Sequence, residues 1–147
     1  MHRFTNQQGI ELIKSLEGFR SEPYVCAGGY LTIGYGHKLL PSDSYKIISP
    51  EKAQQILEND LRRIERLVLK YINVGINDDQ FAALVSFTFN VGAAALQRST
   101  LRQKINYGYY EDGAKEFLKW VYAGGRKIMG LVRRRRLESE LFSGSID

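Results

Sequence analysis

The chain has 147 residues, 44% of them hydrophobic, enough for one ordinary domain that buries roughly two-thirds of its unfolded surface. Lys and Arg total 21 against 16 Asp and Glu, and the resulting formal charge of +5 favours polyanions such as nucleic acid, anionic lipid or acidic wall polymers without choosing among them. A single cysteine excludes an internal disulfide, and no apolar run reaches signal-peptide or membrane-span length, so the expectation is a soluble chain that folds in a reducing compartment.

In chain order, Thr5 with Gln8 three residues later predicts a capping box, and Ile10, Ile13, Leu16 and Phe19 continue at helical spacing, which puts Glu17 in the last turn of a first helix. Pro23 blocks its continuation, and 26–36 reads as short strands joined by a glycine turn, so the helix end and the hairpin are neighbours in space. Residues 39–48 are an irregular connection. Ser49-Pro50-Glu51 then supplies an N-cap, a proline at the first helical position and an early acid.

The long helix that follows runs to about Tyr71, with Ile56, Leu57, Leu61, Ile64, Leu67 and Val68 as its apolar stripe and Glu58, Asp60, Arg62, Arg63, Glu65 and Arg66 on its wet side. Asn77 and Gln80 form a second capping signature before an almost wholly apolar helix over 81–91, which Gly92 ends. Further helices are expected over 96–107, 111–122 and 128–142, separated by Gly108 and by Gly124-Gly125. No internal repeat or low-complexity tract interrupts this order. The fold class is α+β, mostly helical, as a single domain over 1–147: a small hairpin lobe at about 10–50, a bridging helix at about 50–72, and a helical lobe at about 77–147 joined by the first helix.

The chemistry concentrates between Glu17 and His37. Glycoside hydrolysis needs an acid to protonate the leaving oxygen, and a glutamate at the rim of a packed helix suits that task. Taken alone, a glutamate at this place is more often an ordinary helix-end carboxylate in a salt bridge, and the adjoining hairpin is what favours the catalytic reading. Gly28, Gly29, Gly34 and Gly36 permit close approach of a sugar to the backbone, and Tyr24, Tyr30 and Tyr35 offer flat faces with a hydroxyl, or else simply pack on the core. Glu22 is a weaker second carboxyl, since it precedes Pro23 in an exposed turn. Two distant histidines and one cysteine do not make a metal site, and neither a phosphate-binding glycine loop nor a nucleophile elbow is present, so no cofactor is expected.

Glu17-Gly18-Phe19-Arg20, Tyr24, Thr32-Ile33-Gly34-Tyr35-Gly36-His37, Phe87-Thr88-Phe89-Asn90-Val91-Gly92, Ser99-Thr100-Leu101 and Gly130-Leu131-Val132-Arg133 fall in order along the chain. In this the sequence resembles the phage-type lysozymes, or endolysins, of glycoside hydrolase family 24, across nearly its full length. The family pattern of Glu, eight residues, Asp or sometimes Cys, five residues, Thr falls on Glu17, Cys26 and Thr32. The resemblance implies a muramidase that cuts between N-acetylmuramic acid and N-acetylglucosamine in peptidoglycan, with Glu17 as general acid and Thr32 holding the attacking water. Cys26 stands where an aspartate is commoner, and it is open whether it acts as thiol, thiolate or nucleophile; away from this spacing it reads as a small buried hydrophobe.

The resemblance further implies that Tyr35, Phe89, Asn90 and Thr100 contact the glycan, that His37 is structural through an ion pair or hydrogen bond, and that one of Arg133 to Arg136 pairs with Glu17. A monomer is expected, held in the host bacterial cytoplasm until a holin opens the membrane and then acting in the periplasm or wall, with no stable membrane insertion. Two rivals keep the fold: a lytic transglycosylase running on Glu17 alone, and a non-catalytic peptidoglycan-binding module. A nucleic-acid binder using Arg133 to Arg136 is disfavoured by the adjoining Glu138 and Glu140.

Overall fold

A computed structural model of the chain describes residues 2–144. Helix α1 (Gln7–Glu17) opens not at Thr5 but one residue later. The Asn6 side chain accepts from the Gly9 N–H at 2.9 Å, while Thr5 turns its hydroxyl and N–H to Glu65 at 2.6 and 2.7 Å. The expected capping box therefore gives way to a stronger acceptor that only the fold supplies, a buried carboxylate. Gly9 lets α1 lie close to the rest: a Cβ there would come within 2.7 Å of the Ala82 methyl.

Three antiparallel strands follow in the spatial order β1 (Arg20–Val25), β2 (Leu31–Gly34), β3 (His37–Lys38). The first begins earlier than the glycine pattern suggests and runs through Pro23. A shift in register between Arg20 and Tyr24 leaves room for a residue with no N–H to donate at the sheet edge. Helix α2 (Pro50–Tyr71) has the expected start, with the Ser49 hydroxyl accepting from the Lys52 N–H at 3.1 Å. It lies against β2 at one end, where Ala53 faces Gly34, and at the other its last carbonyl, on Tyr71, accepts from Arg102 and Asn106.

Helix α3 (Asp78–Val91) is the centre of the core, and its Asn77–Gln80 capping box forms with both bonds at 2.8 Å. Phe81, Ala82, Ala83, Leu84, Val85 and Phe87 on it are completely buried, as expected of a helix apolar on every side. The single helix expected over 96–107 is two, α4 (Ala93–Arg98) and α5 (Thr100–Asn106), because Ser99 leaves helical geometry and caps the second through the Arg102 N–H at 3.0 Å. Likewise α6 (Tyr110–Glu116) tightens into a 3-10 turn over Phe117–Lys119 and gives way to a hairpin, β4 (Tyr122–Ala123) with β5 (Arg126–Lys127), that the sequence reading left as helix and loop. Gly124 and Gly125, both at positive φ, make its turn. Helix α7 (Met129–Ser143) closes the molecule against α3.

Candidate active site

A cleft of about 1030 Å³ is lined by the end of α1, the sheet, one face of α2 and the end of α3. Glu17, Cys26, Thr32, Phe89 and Asn90 all line it. Glu17 owes its place to Gly36: a Cβ there would lie 2.6 Å from Glu17 Oε1, and the φ of +80° at Gly36 is itself one that side chains rarely adopt. Gly18 stops α1 immediately after Glu17, its N–H returning to Lys14 O at 2.9 Å, so the carboxyl projects from a rigid helix end.

The carboxyl is oriented from below by a buried polar network. Arg134 Nη1 donates to Glu17 Oε2 at 2.7 Å, while its Nε donates to Glu138 at 3.1 Å and its Nη2 to the Ser86 carbonyl at 3.0 Å. Glu138 is completely buried and also accepts from the Ser86 hydroxyl at 2.6 Å and from Arg135. Arg135 reaches onward to Asn90 and to the Trp120 carbonyl and lies over the Phe87 ring. Of the four consecutive arginines, helical phase turns Arg134 and Arg135 inward and leaves Arg133 and Arg136 outside.

Across the cleft, Cys26 sits at the turn that joins β1 to β2. Its N–H donates to Tyr30 O and its carbonyl accepts from Gly29 N, both at 2.9 Å, and its Sγ lies beside Gly28. The Thr32 hydroxyl and then the Tyr30 backbone favour the thiolate and hold the Cys26 pKa below its ordinary value, against a smaller opposing effect of desolvation. Thr32 is buried, and its hydroxyl also donates to Tyr30 O at 2.9 Å.

His37 is a clamp. Its Nδ1 pairs with Asp60 on α2 at 2.7 Å and its Nε2 with Asp43 in the 39–48 connection at 2.9 Å. The Asp60 hydrogen bond, together with Asp43, outweighs desolvation and raises the His37 pKa to about 9. Asp43 moves the other way, lowered first by the Leu40 N–H and then by His37. Sheet, connection and central helix are locked together at the cleft rim.

Two of the expected glycan contacts lie elsewhere. Tyr35 is buried with its ring against Phe19 and under the Lys14 ammonium, so packing uses the face that a sugar would need. Thr100 is exposed at the start of α5, outside the cleft lining, because the break at Ser99 directs this turn away. Asn90 does line the cleft, but its carbonyl oxygen is already taken by Arg135, which leaves its amide as the free donor. Glu22 is exposed on β1 and outside the lining. The residues that sequence reasoning missed are Asn59, Arg62, Arg63 and Arg66, which line the cleft from α2. Their i, i+3, i+4, i+7 spacing on the wet face was the available signal. Among the described residues no group of three or more His, Cys, Asp or Glu is placed to hold a metal ion, and no helix is long and apolar enough to cross a membrane.

Residues 14–138 match the family model described as phage lysozyme. The chain is 45% identical over 139 residues to an endolysin of Bacillus phage B103, covering 93% of itself but only 53% of that longer protein. In structure it is similar to the endolysin from Escherichia coli O157:H7 phage FAHEc1, with a TM-score of 0.89 and 32% identity over 99% of this chain and 97% of that one. It is equally similar to the muramidase domain of SpmX from Asticaccaulis excentricus, with a TM-score of 0.87 and 32% identity over 97% and 98%. With the match spanning the helix that carries Glu17, the hairpin that carries Cys26 and Thr32, and the arginines beneath them, the chain belongs to the phage lysozyme family.

Proposed function

We propose that the protein is an endolysin that hydrolyses the β-1,4 bond between N-acetylmuramic acid and N-acetylglucosamine in bacterial peptidoglycan. The observation that carries this reading is a helix-end carboxyl, Glu17, that lines the same cleft as a paired thiol and hydroxyl, Cys26 and Thr32. Glu17 donates its proton to the glycosidic oxygen as the bond to the anomeric carbon breaks. Water held by Thr32 and Cys26 adds to that carbon from the opposite face, and its surplus proton passes to the Cys26 thiolate. Exchange with solvent then restores both groups. The lowered thiol pKa increases the fraction of Cys26 able to take that proton.

Phe89 and the Asn90 amide lie where a saccharide in the cleft would meet an apolar face and a donor, and we assign them to glycan binding. Similarity to endolysins supports a protein that acts on the cell wall, and we propose that it does so as a monomer after a holin opens the membrane. The test is mass spectrometry of muropeptides released from purified walls. Reducing ends that have gained one water are expected from wild type and are absent from Glu17→Gln, and anhydro-muramic ends in place of them would replace hydrolysis with transglycosylation.

A further inference from the structure

One wall of the cleft carries charge that breaking a glycosidic bond does not need. Asn59, Arg62, Arg63 and Arg66 share one face of α2 and line the cleft, and Lys38 reaches it from β3, held over the Tyr30 ring at 4.1 Å. The acids lining the same cleft are Glu17 and Asp60, and each is already paired, with Arg134 and His37 respectively, at 2.7 Å. Arg62 gives its charge to the buried Glu65 at 2.8 Å. Arg63, Arg66 and Lys38 are left without an acidic partner among the described residues, and all three are exposed to whatever occupies the groove.

The sugars of a peptidoglycan strand present hydroxyls and acetamides, which are neutral, and the lactyl group of muramic acid loses its charge when a peptide is amide-linked to it. The anionic groups repeated along such a strand are the free carboxylates of its peptide stems. A guanidinium pair is the residue choice for binding carboxylates, because its planar fork matches them in geometry as well as charge. Resting on the muramidase reading, we propose that Arg63 and Arg66, with Lys38, form a subsite for stem-peptide carboxylates. It holds the peptide-bearing side of the strand against α2 while the glycan lies over Glu17, Cys26 and Thr32. Substrate choice is then built into the bridging helix, apart from the residues that break the bond.

The experiment uses walls stripped of phosphate polymers by acid, divided into intact strands and strands whose stem carboxylates are converted to neutral carboxamides, because an amidase that removed the stems would bare a lactyl carboxylate on each muramic acid. Two partly solvated ion pairs predict that kcat/KM of wild type is about five- to thirtyfold higher on intact strands, mostly through KM. Arg63→Gln with Arg66→Gln brings that ratio down toward one. Arg98→Gln with Lys127→Gln, which removes the same charge outside the cleft lining, keeps the ratio, as circular dichroism melts show both proteins folded. A wild-type ratio near one, a ratio unchanged in the Arg63/Arg66 protein, or a preference that appears only on walls retaining their phosphate polymers overturns the subsite. Wild type that releases no reducing ends from any strand overturns the muramidase reading as well, so the two failures are distinct.

Discussion

Arg134 and Glu17, 117 positions apart in sequence, meet at 2.7 Å, and the same guanidinium is held from behind by Glu138 and Ser86. The candidate acid is therefore fixed at both ends, by the rigid terminus of α1 and by a charged network rooted in α3 and α7. Positioning of this kind is what a general acid requires of its scaffold.

Glu17→Gln should lower wall lysis by about 10³-fold or more, since a neutral amide has no proton to give, while leaving the melting temperature near that of wild type. Arg134→Gln should do both kinds of damage, costing about 2 kcal/mol because the buried Glu138 loses one of its two guanidinium partners and keeps only Arg135 and the Ser86 hydroxyl. Turbidity clearing and urea unfolding separate the two proteins.

Gly36→Ala introduces a methyl that must displace the Glu17 carboxyl and adopt a φ of +80°. The expected result is a stability loss of about 1–2 kcal/mol together with a larger drop in kcat than in substrate affinity. Gly29→Ala, also at positive φ but with nothing within 4 Å of its Cβ, should show the stability loss without the same fall in kcat.

Cys26→Asp should keep or raise activity, and Cys26→Ser should lower it, because serine offers no anion near neutral pH. The pH profile is the sharper readout. Thr32 and the Tyr30 backbone lower the Cys26 pKa from its ordinary value, and an aspartate starts from a far lower ordinary value, so the acidic limb of lysis should move to lower pH in Cys26→Asp. Identical profiles would remove Cys26 from the proton inventory.

His37 gives the fold a defined response to alkali. Its folded pKa of about 9 lies above the ordinary 6.5, so its stabilisation is complete below about pH 6.5 and fades as pH rises through 9. After allowance for solvent screening this is worth about 1–2 kcal/mol. His37→Gln should be less stable at pH 6 and show a flatter dependence of unfolding free energy between pH 6.5 and 9.5, as read by urea titration at each pH.

Glu65 is completely buried and accepts from His2, from Thr5 twice and from Arg62, and these bonds together outweigh desolvation and lower its pKa. Glu65→Gln leaves donors without their charged acceptor and should cost about 3 kcal/mol, with release of the 2–5 segment seen as faster amide exchange there. The stabilisation from Glu65 is present above the ordinary carboxylate range and is lost as pH falls through its lowered folded value.

What the sequence alone determined lies in local rules. Asn77 with Gln80 and Ser49 with Pro50 start their helices as read, since a capping bond closes within four residues. The spacing of Glu17, Cys26 and Thr32 was equally legible, because a helix end running straight into a hairpin leaves its residues few places to go. Glu65 marks the limit: helical phase put it on the wet side of α2, and the chain's own N-terminal segment then folded over it, trading water for Thr5, His2 and Arg62. Thr5, Ser99 and Tyr35 went astray for the same reason, each having a partner or packing surface that propensity does not encode. Which of four successive arginines reaches Glu17 depends on a contact across 117 positions of chain, and which cations of α2 stay unpaired in the cleft depends on what folds against that helix, so only tertiary packing decides those.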